Sequence, residues 1–201
     1  MSLIIFALVL SAFSFKPTED PSKSNALQFF INGFVGYGMS NFELDEAVGD
    51  LDQASYIPGG LQFLYLAGSN FRVGAETEIC LSEFKCEDSR NNNELEVSLN
   101  MIGLVVQYFP AEAFFLRGGV GSYSGSGEYY DDYYGSTGKG DIESGLGFNL
   151  GAGYITNVSN NFYGGIEGIY HIASLELDDS SDTGSYDFNH WSARVFFGIA
   201  F

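Results

Sequence analysis

Asn189-His190-Trp191-Ser192 sets an imidazole and a hydroxyl two positions apart, the spacing at which strand residues share a face. With a distant carboxylate, such a pair is a minimal set for nucleophilic catalysis. His171, four residues after Glu167, is the other histidine. Cys80 and Cys86 are the only cysteines. In an oxidising compartment they can close a disulfide at the base of a loop; two free thiols are the alternative. With no histidine nearby they are weak metal ligands, so neither zinc nor any other cofactor is expected from them.

A second set of charges recurs at alternate positions of apolar segments: Arg72, Glu76, Glu78, Glu96, Arg117, Glu143, Glu167 and Arg194. If these rows face an interior, they must pair, because a lone buried charge is costly. Elsewhere the acids gather in polar stretches. Glu43, Asp45, Glu46, Asp50 and Asp52 form one group, Glu128, Asp131, Asp132 and Asp141 another, and Asp178, Asp179, Asp182 and Asp187 a third. None has the spacing of a calcium loop, so solvated loop charge is the expectation, with divalent bridging to lipopolysaccharide phosphates as the alternative. Tyr129, Tyr130, Tyr133 and Tyr134 suit either an external contact surface or an interfacial aromatic belt. The net charge of −18, from 26 acidic and 8 basic residues, is the reverse of what nucleic-acid binding needs.

The elements that must carry these groups are strands. The 201 residues include 26 Gly, 19 Phe and 13 Tyr, a mixture suited to pleated surfaces and tight turns. Period-two alternation runs through 27–40, 60–67, 71–82, 95–103, 114–123, 142–156, 162–172 and 192–201, which makes eight strands. A hairpin hidden in 41–56 would make ten. In 27–40 the row Phe29, Ile31, Val35, Tyr37 and Met39 is apolar, with Phe30 and Phe34 as exceptions on the opposite row. In 95–103 the same reading sets Leu95, Val97, Leu99 and Met101 outward against Glu96, Ser98, Asn100 and Ile102. The connectors alternate short (68–70, 110–113, 157–161) and long (41–55, 84–94, 125–141, 178–188), as periplasmic turns and external loops do in outer-membrane barrels. That pattern sets both termini on the periplasmic side. A soluble barrel would bury its apolar rows and wet its polar ones. Here the charged rows would then face water and the interior would be greasy, or else the apolar rows face lipid; closure in lipid satisfies every backbone group.

The apolar run from Leu3 to Phe15 is too short for a transmembrane helix and precedes a polar stretch with two prolines. Residues 1–15 therefore read as a signal peptide, although no basic residue precedes the run, and 16–26 as a polar linker. The remaining 27–201 forms one domain.

The phrases GGLQFLYLAGSNFRVGAE and YFPAEAFFLRGGVG, with Val195, Phe197, Ile199 and Phe201 alternating at the end of the sequence, resemble the OmpA/OmpX-like group of small outer-membrane barrels. The resemblance covers 27–201. It implies a closed antiparallel up-and-down barrel and a C-terminal strand read by the outer-membrane assembly machinery as a partner. Outer-membrane lipid A deacylases carry a His-x-Ser pair, but that pair must face lipid, and the alternation turns His190 and Ser192 inward. The expectation is a non-enzymatic outer-membrane protein in contact with lipid, lipopolysaccharide and external ligands. A narrow channel is the alternative, and a lipid A-modifying enzyme comes third.

Overall fold

Alternating side chains commit each segment to a two-faced strand, and in a computed structural model of the protein these strands close on themselves. The structure describes residues 28–42, 54–82, 84–88, 93–131, 136–159, 161–179 and 182–201. The expected signal peptide and linker lie outside the described residues, as does the acidic stretch 43–53.

The strands are β1 (Phe29–Phe42), β2 (Ala54–Leu66), β3 (Phe71–Ser82), β4 (Phe84–Asp88), β5 (Asn93–Tyr108), β6 (Phe114–Asp131), β7 (Ser136–Asn157), β8 (Phe162–Asp179) and β9 (Asp182–Ala200). Sequence neighbours pair antiparallel except β3 with β4, and β1 closes against β9. The short β4 extends the wall begun by β3, both pairing with β5. The barrel therefore has eight walls in meander order. β1 pairs directly with β2, so no further wall stands between them. At the seam, Phe29 and Phe201 exchange both backbone hydrogen bonds, at 3.2 and 2.9 Å.

The outward rows are apolar and exposed: Leu104 is 65% accessible, Phe148 62% and Phe197 64%. In water such rows would cost about 1.5–3 kcal/mol for each large side chain left unburied, and a continuous band of them has no aqueous solution. Aromatic rings border the band. Near the short turns stand Phe29 beside Tyr65 and Phe71 beside Tyr108, with ring centroids 5.6 and 4.9 Å apart. Toward the other end Tyr37, Tyr170 and Trp191 face outward. From Trp191 to Phe201 is about 33 Å along the strand, or about 25 Å across a membrane at a tilt of roughly 40°. That is the height of the lipid-facing band of an outer-membrane barrel. The second girdle is thus built by Tyr37, Tyr170 and Trp191; Tyr129 and Tyr130 belong to the far end of β6, while Tyr133 and Tyr134 lie outside the described residues.

Two expectations are corrected. First, β5 presents the opposite face: Val97, Leu99 and Met101 are buried inside, whereas Ile102, Leu104 and Val106 point out. Both rows of β5 are apolar, so alternation alone carries little information. Its register against β3 decides, because Glu78 is paired with Met101 and directly paired residues share a side. Second, much of three of the long connectors is strand: 84–94 contains β4 (Phe84–Asp88) and the start of β5. Tyr129 pairs with Gly138 and Asp131 with Ser136, and Asp182–Phe188 pairs with Ala173–Asp179. At their inner ends Ala173, Leu175 and Phe188 are still buried in the barrel; farther out the sequence has no hydrophobic alternation, while Tyr, Thr and Ser still favour the ladder. A strand of 22 residues such as β7 is about twice what a bilayer crossing needs.

Candidate functional site

The inward rows fill the barrel in three layers. Nearest the short turns is an aromatic layer with Phe30, Phe34, Phe115, Tyr163 and Phe196, packed with Leu64, Val105 and Ile155. Nearest the long extensions is a second apolar layer that includes Tyr56, Leu99, Met101, Tyr123 and Phe188. Between them lies the charge.

Glu76 from β3 is the hub of this middle layer. Its Oε1 accepts from Arg117 Nη2 and from Arg194 Nη1, each at 3.1 Å. Its Oε2 pairs with Arg117 Nη1 at 3.0 Å and accepts a hydrogen bond from the Gln62 amide. Glu167 from β8 receives Arg117 Nη1 at 3.2 and 3.1 Å. Glu78 is ion-paired with Arg194 Nη2. Asn149 accepts from Arg117 at 3.1 Å, and Gln62 accepts from Asn32 at 2.9 Å. The five charged side chains are nearly inaccessible to solvent. Each ion lost from water is costly, and only multiple charge-assisted contacts across the lumen offset that cost.

Glycines on the inner wall make room for the guanidiniums. A Cβ on Gly151 would collide with the Gly168 carbonyl and lie 3.0 Å from Arg117 Cγ; one on Gly36 would lie 2.8 Å from Arg194 Cγ. The abundance of glycine beside large residues therefore has a packing cause: small inner-wall positions receive side chains from neighbouring strands.

Of the eight charges read from sequence, Glu76, Glu78, Arg117, Glu167 and Arg194 come together. Arg72 does not join them. Its guanidinium lies over Phe30 at 3.9 Å and Phe109 at 4.5 Å, in the turn-side aromatic layer, where cation–π attraction replaces a carboxylate. Glu96 is also misplaced by the sequence reading, because the inverted face of β5 puts it on the outward row, with Lys85 and Glu128 as its register partners. Glu143 belongs to β7 opposite Glu176, before a register shift, and its side chain lies outside the described ones. So does that of Cys86, and with it the disulfide to Cys80.

His190 and Ser192 face inward and are buried, as the alternation requires. Arg194 Nε donates to Ser192 Oγ at 3.2 Å, so the hydroxyl serves the charge layer. What sequence reasoning missed is that His171 and His190 are direct cross-strand partners whose rings stack at 4.2 Å and 10°. Both lie on inward parity, but only the β8–β9 register brings 171 opposite 190. Asn32, Gln62 and Asn149 were legible only as polar interruptions of apolar segments.

A closed meander of eight walls, an apolar exterior between aromatic girdles and an interior filled by side chains around a buried charge layer define the fold of the small outer-membrane β-barrels. Among solved structures, the chain is similar to Ail, the attachment invasion locus protein of Yersinia pestis, at 15% identity over 86% of this chain and 98% of that one, with a TM-score of 0.55. It is similar to Neisserial surface protein A at 11% identity, covering 85% and 96%, TM-score 0.55. A major outer-membrane protein from Thermus thermophilus matches at 14% identity over 88% and 100%, TM-score 0.56. A second Ail structure holds the heparin analogue sucrose octasulfate. At these identities the likeness is one of fold. No protein-family model and no curated protein matches the chain.

Proposed function

We propose that the protein is a non-enzymatic component of the bacterial outer membrane, a rigid barrel that anchors long acidic β-extensions for contact with the outside. The observation that carries this reading is the filled lumen, in which two apolar layers seal an ion-pair layer from above and below. An eight-stranded barrel is only wide enough for its side chains, and here they occupy it. That argues against the narrow channel. The lipid A-modifying reading needs His190 and Ser192 on the bilayer side, and they are on the other.

In this reading the short turns and the Phe29–Phe201 seam are periplasmic, and the outward row Val195, Phe197, Ile199 and Phe201 is what the assembly machinery recognises. Lipid and lipopolysaccharide cover the apolar band. The outer end carries Glu128, Asp131, Asp178, Asp179, Asp182 and Asp187 with Tyr129 and Tyr130, so it suits a cationic or neutral partner. A polysulfate like the one bound to Ail is a poor match for a chain of net charge −18.

The test combines solubility with conductance. The folded protein should need detergent, migrate differently on gels before and after heating, and give no steady current in planar bilayers. Purification as a soluble monomer without detergent overturns the membrane reading; reproducible unitary conductance replaces the anchor with a channel.

A further inference from the structure

Beyond that role, we infer that the loop-side edge of the charge layer, formed by Glu78, His171 and His190, is a binding site for a zinc-class divalent cation. Three observations converge. The first is composition and placement: one carboxylate and two imidazoles, all buried, offer ligand atoms that lie within 4.8 Å of one another. Two nitrogens and one oxygen form a borderline donor set that suits Zn2+, Co2+ or Cu2+ over Ca2+ or Mg2+.

The second is orientation. Arginine can only donate hydrogen bonds, so the contact of Arg194 Nη2 with His171 Nε2 at 3.0 Å makes Nε2 the acceptor. The proton of that imidazole is then on Nδ1, where it donates to the Tyr123 hydroxyl at 2.8 Å. A histidine whose far nitrogen is fixed by a hydrogen bond and whose near nitrogen presents a lone pair is oriented as metal-bound histidines are. Tyr123 is the positioning residue.

The third is charge. Within the ion-pair layer, Glu76, Glu78 and Glu167 face Arg117 and Arg194, so carboxylates exceed guanidiniums by one. The surplus lies at the histidine end, where Glu78 has one Arg194 nitrogen as its ion-pair partner while Glu76 receives two guanidiniums.

Binding asks for small movements. Ligand atoms about 2.1 Å from one tetrahedral ion stand about 3.4 Å apart, so from separations within 4.8 Å the triad closes by up to about 1.4 Å as the two rings tilt out of their stack. Arg194 Nη2 gives up its place between Glu78 and His171, while Nη1 keeps Glu76 and Nε keeps Ser192. Water completes the coordination. Because Glu78 comes from β3 and the histidines from β8 and β9, the ion would tie opposite walls of the barrel together.

The test uses the folded full-length protein in detergent, stripped with a chelator and titrated with Co2+, then with Zn2+ in competition. One equivalent should bind, with visible ligand-field absorption that Zn2+ abolishes, and Cu2+ bound at the site should show two nitrogen couplings by electron paramagnetic resonance. His171→Ala, His190→Ala and Glu78→Gln should each weaken binding at least about tenfold, and Tyr123→Phe by about tenfold, since loss of an outer-shell partner alone costs 10–100-fold. Absence of saturable uptake overturns the proposal. So does uptake that is unchanged in the double variant His171→Ala/His190→Ala, which would place the ion on the acidic extensions. Should the histidine variants not fold, the wild-type Cu2+ spectrum decides, and fewer than two nitrogen couplings rejects the site.

Discussion

Arg194 Nη1 lies 3.1 Å from Glu76 Oε1, joining β9 to β3 across the lumen, past the two strands that separate them in the sheet. The same guanidinium reaches Glu78, Ser192 and His171 and lies 4.4 Å from the Phe34 ring. One side chain therefore links the aromatic layer, the charge layer and the histidine pair.

Arg194→Met should be strongly destabilising, because it takes away the ion-pair partner of Glu78 and leaves three buried carboxylates with one guanidinium. The expected cost is about 3–5 kcal/mol, read as a lower urea midpoint in micelles. Arg194→Lys should recover only part of it, since an ammonium cannot reproduce the planar fork. A variant with wild-type stability would show the layer to be energetically idle.

The reversed face of β5 makes a paired prediction. Leu104→Arg, on the lipid side, should cost up to about 2–4 kcal/mol toward the mid-membrane, with the loss seen on refolding into bilayers. Leu99→Arg, which puts an unpaired charge into the loop-side interior layer, should prevent stable folding, whereas Leu99→Ala should act as a cavity mutation of about 2–5 kcal/mol. If Leu99 instead tolerates arginine and Leu104 does not tolerate alanine, the face assignment fails.

Gly151→Val tests the packing role of the inner-wall glycines. The new side chain meets the Gly168 carbonyl and the stem of Arg117, so a loss of at least about 1–3 kcal/mol from overpacking is expected. Gly118, whose Cβ would have only the Leu150 side chain at 3.6 Å and the Asn149 carbonyl at 3.9 Å, should accept alanine with little change. Equal effects at both positions would remove the distinction.

How much of this was legible in the chain differs from strand to strand. In β1, β3, β8 and β9 one row is apolar and the other polar or small, so the lipid face, the inward turn of Arg194 and the wrong-sidedness of His190 and Ser192 for lipid chemistry follow from period two alone. Phe30 and Phe34, exceptions to that rule, prove to be the turn-side aromatic layer over which Arg72 and Arg194 lie. In β5 both rows are apolar and the reading inverts, taking Glu96 with it. The outer ends of β6 through β9 carry no hydrophobic alternation to read, although their Tyr, Thr and Ser still favour strand.

The sequence by itself determined the class of fold and most of its strands, since strand period is a local rule repeated along the chain; the choice of eight walls over ten waited on the direct pairing of β1 with β2. Which inward groups meet was decided by tertiary structure. Partners such as Glu76 and Arg194, 118 positions apart, or His171 and His190 are set by register and shear summed around a closed barrel. A slip of two residues at any one ladder would preserve every face and change the partners across it.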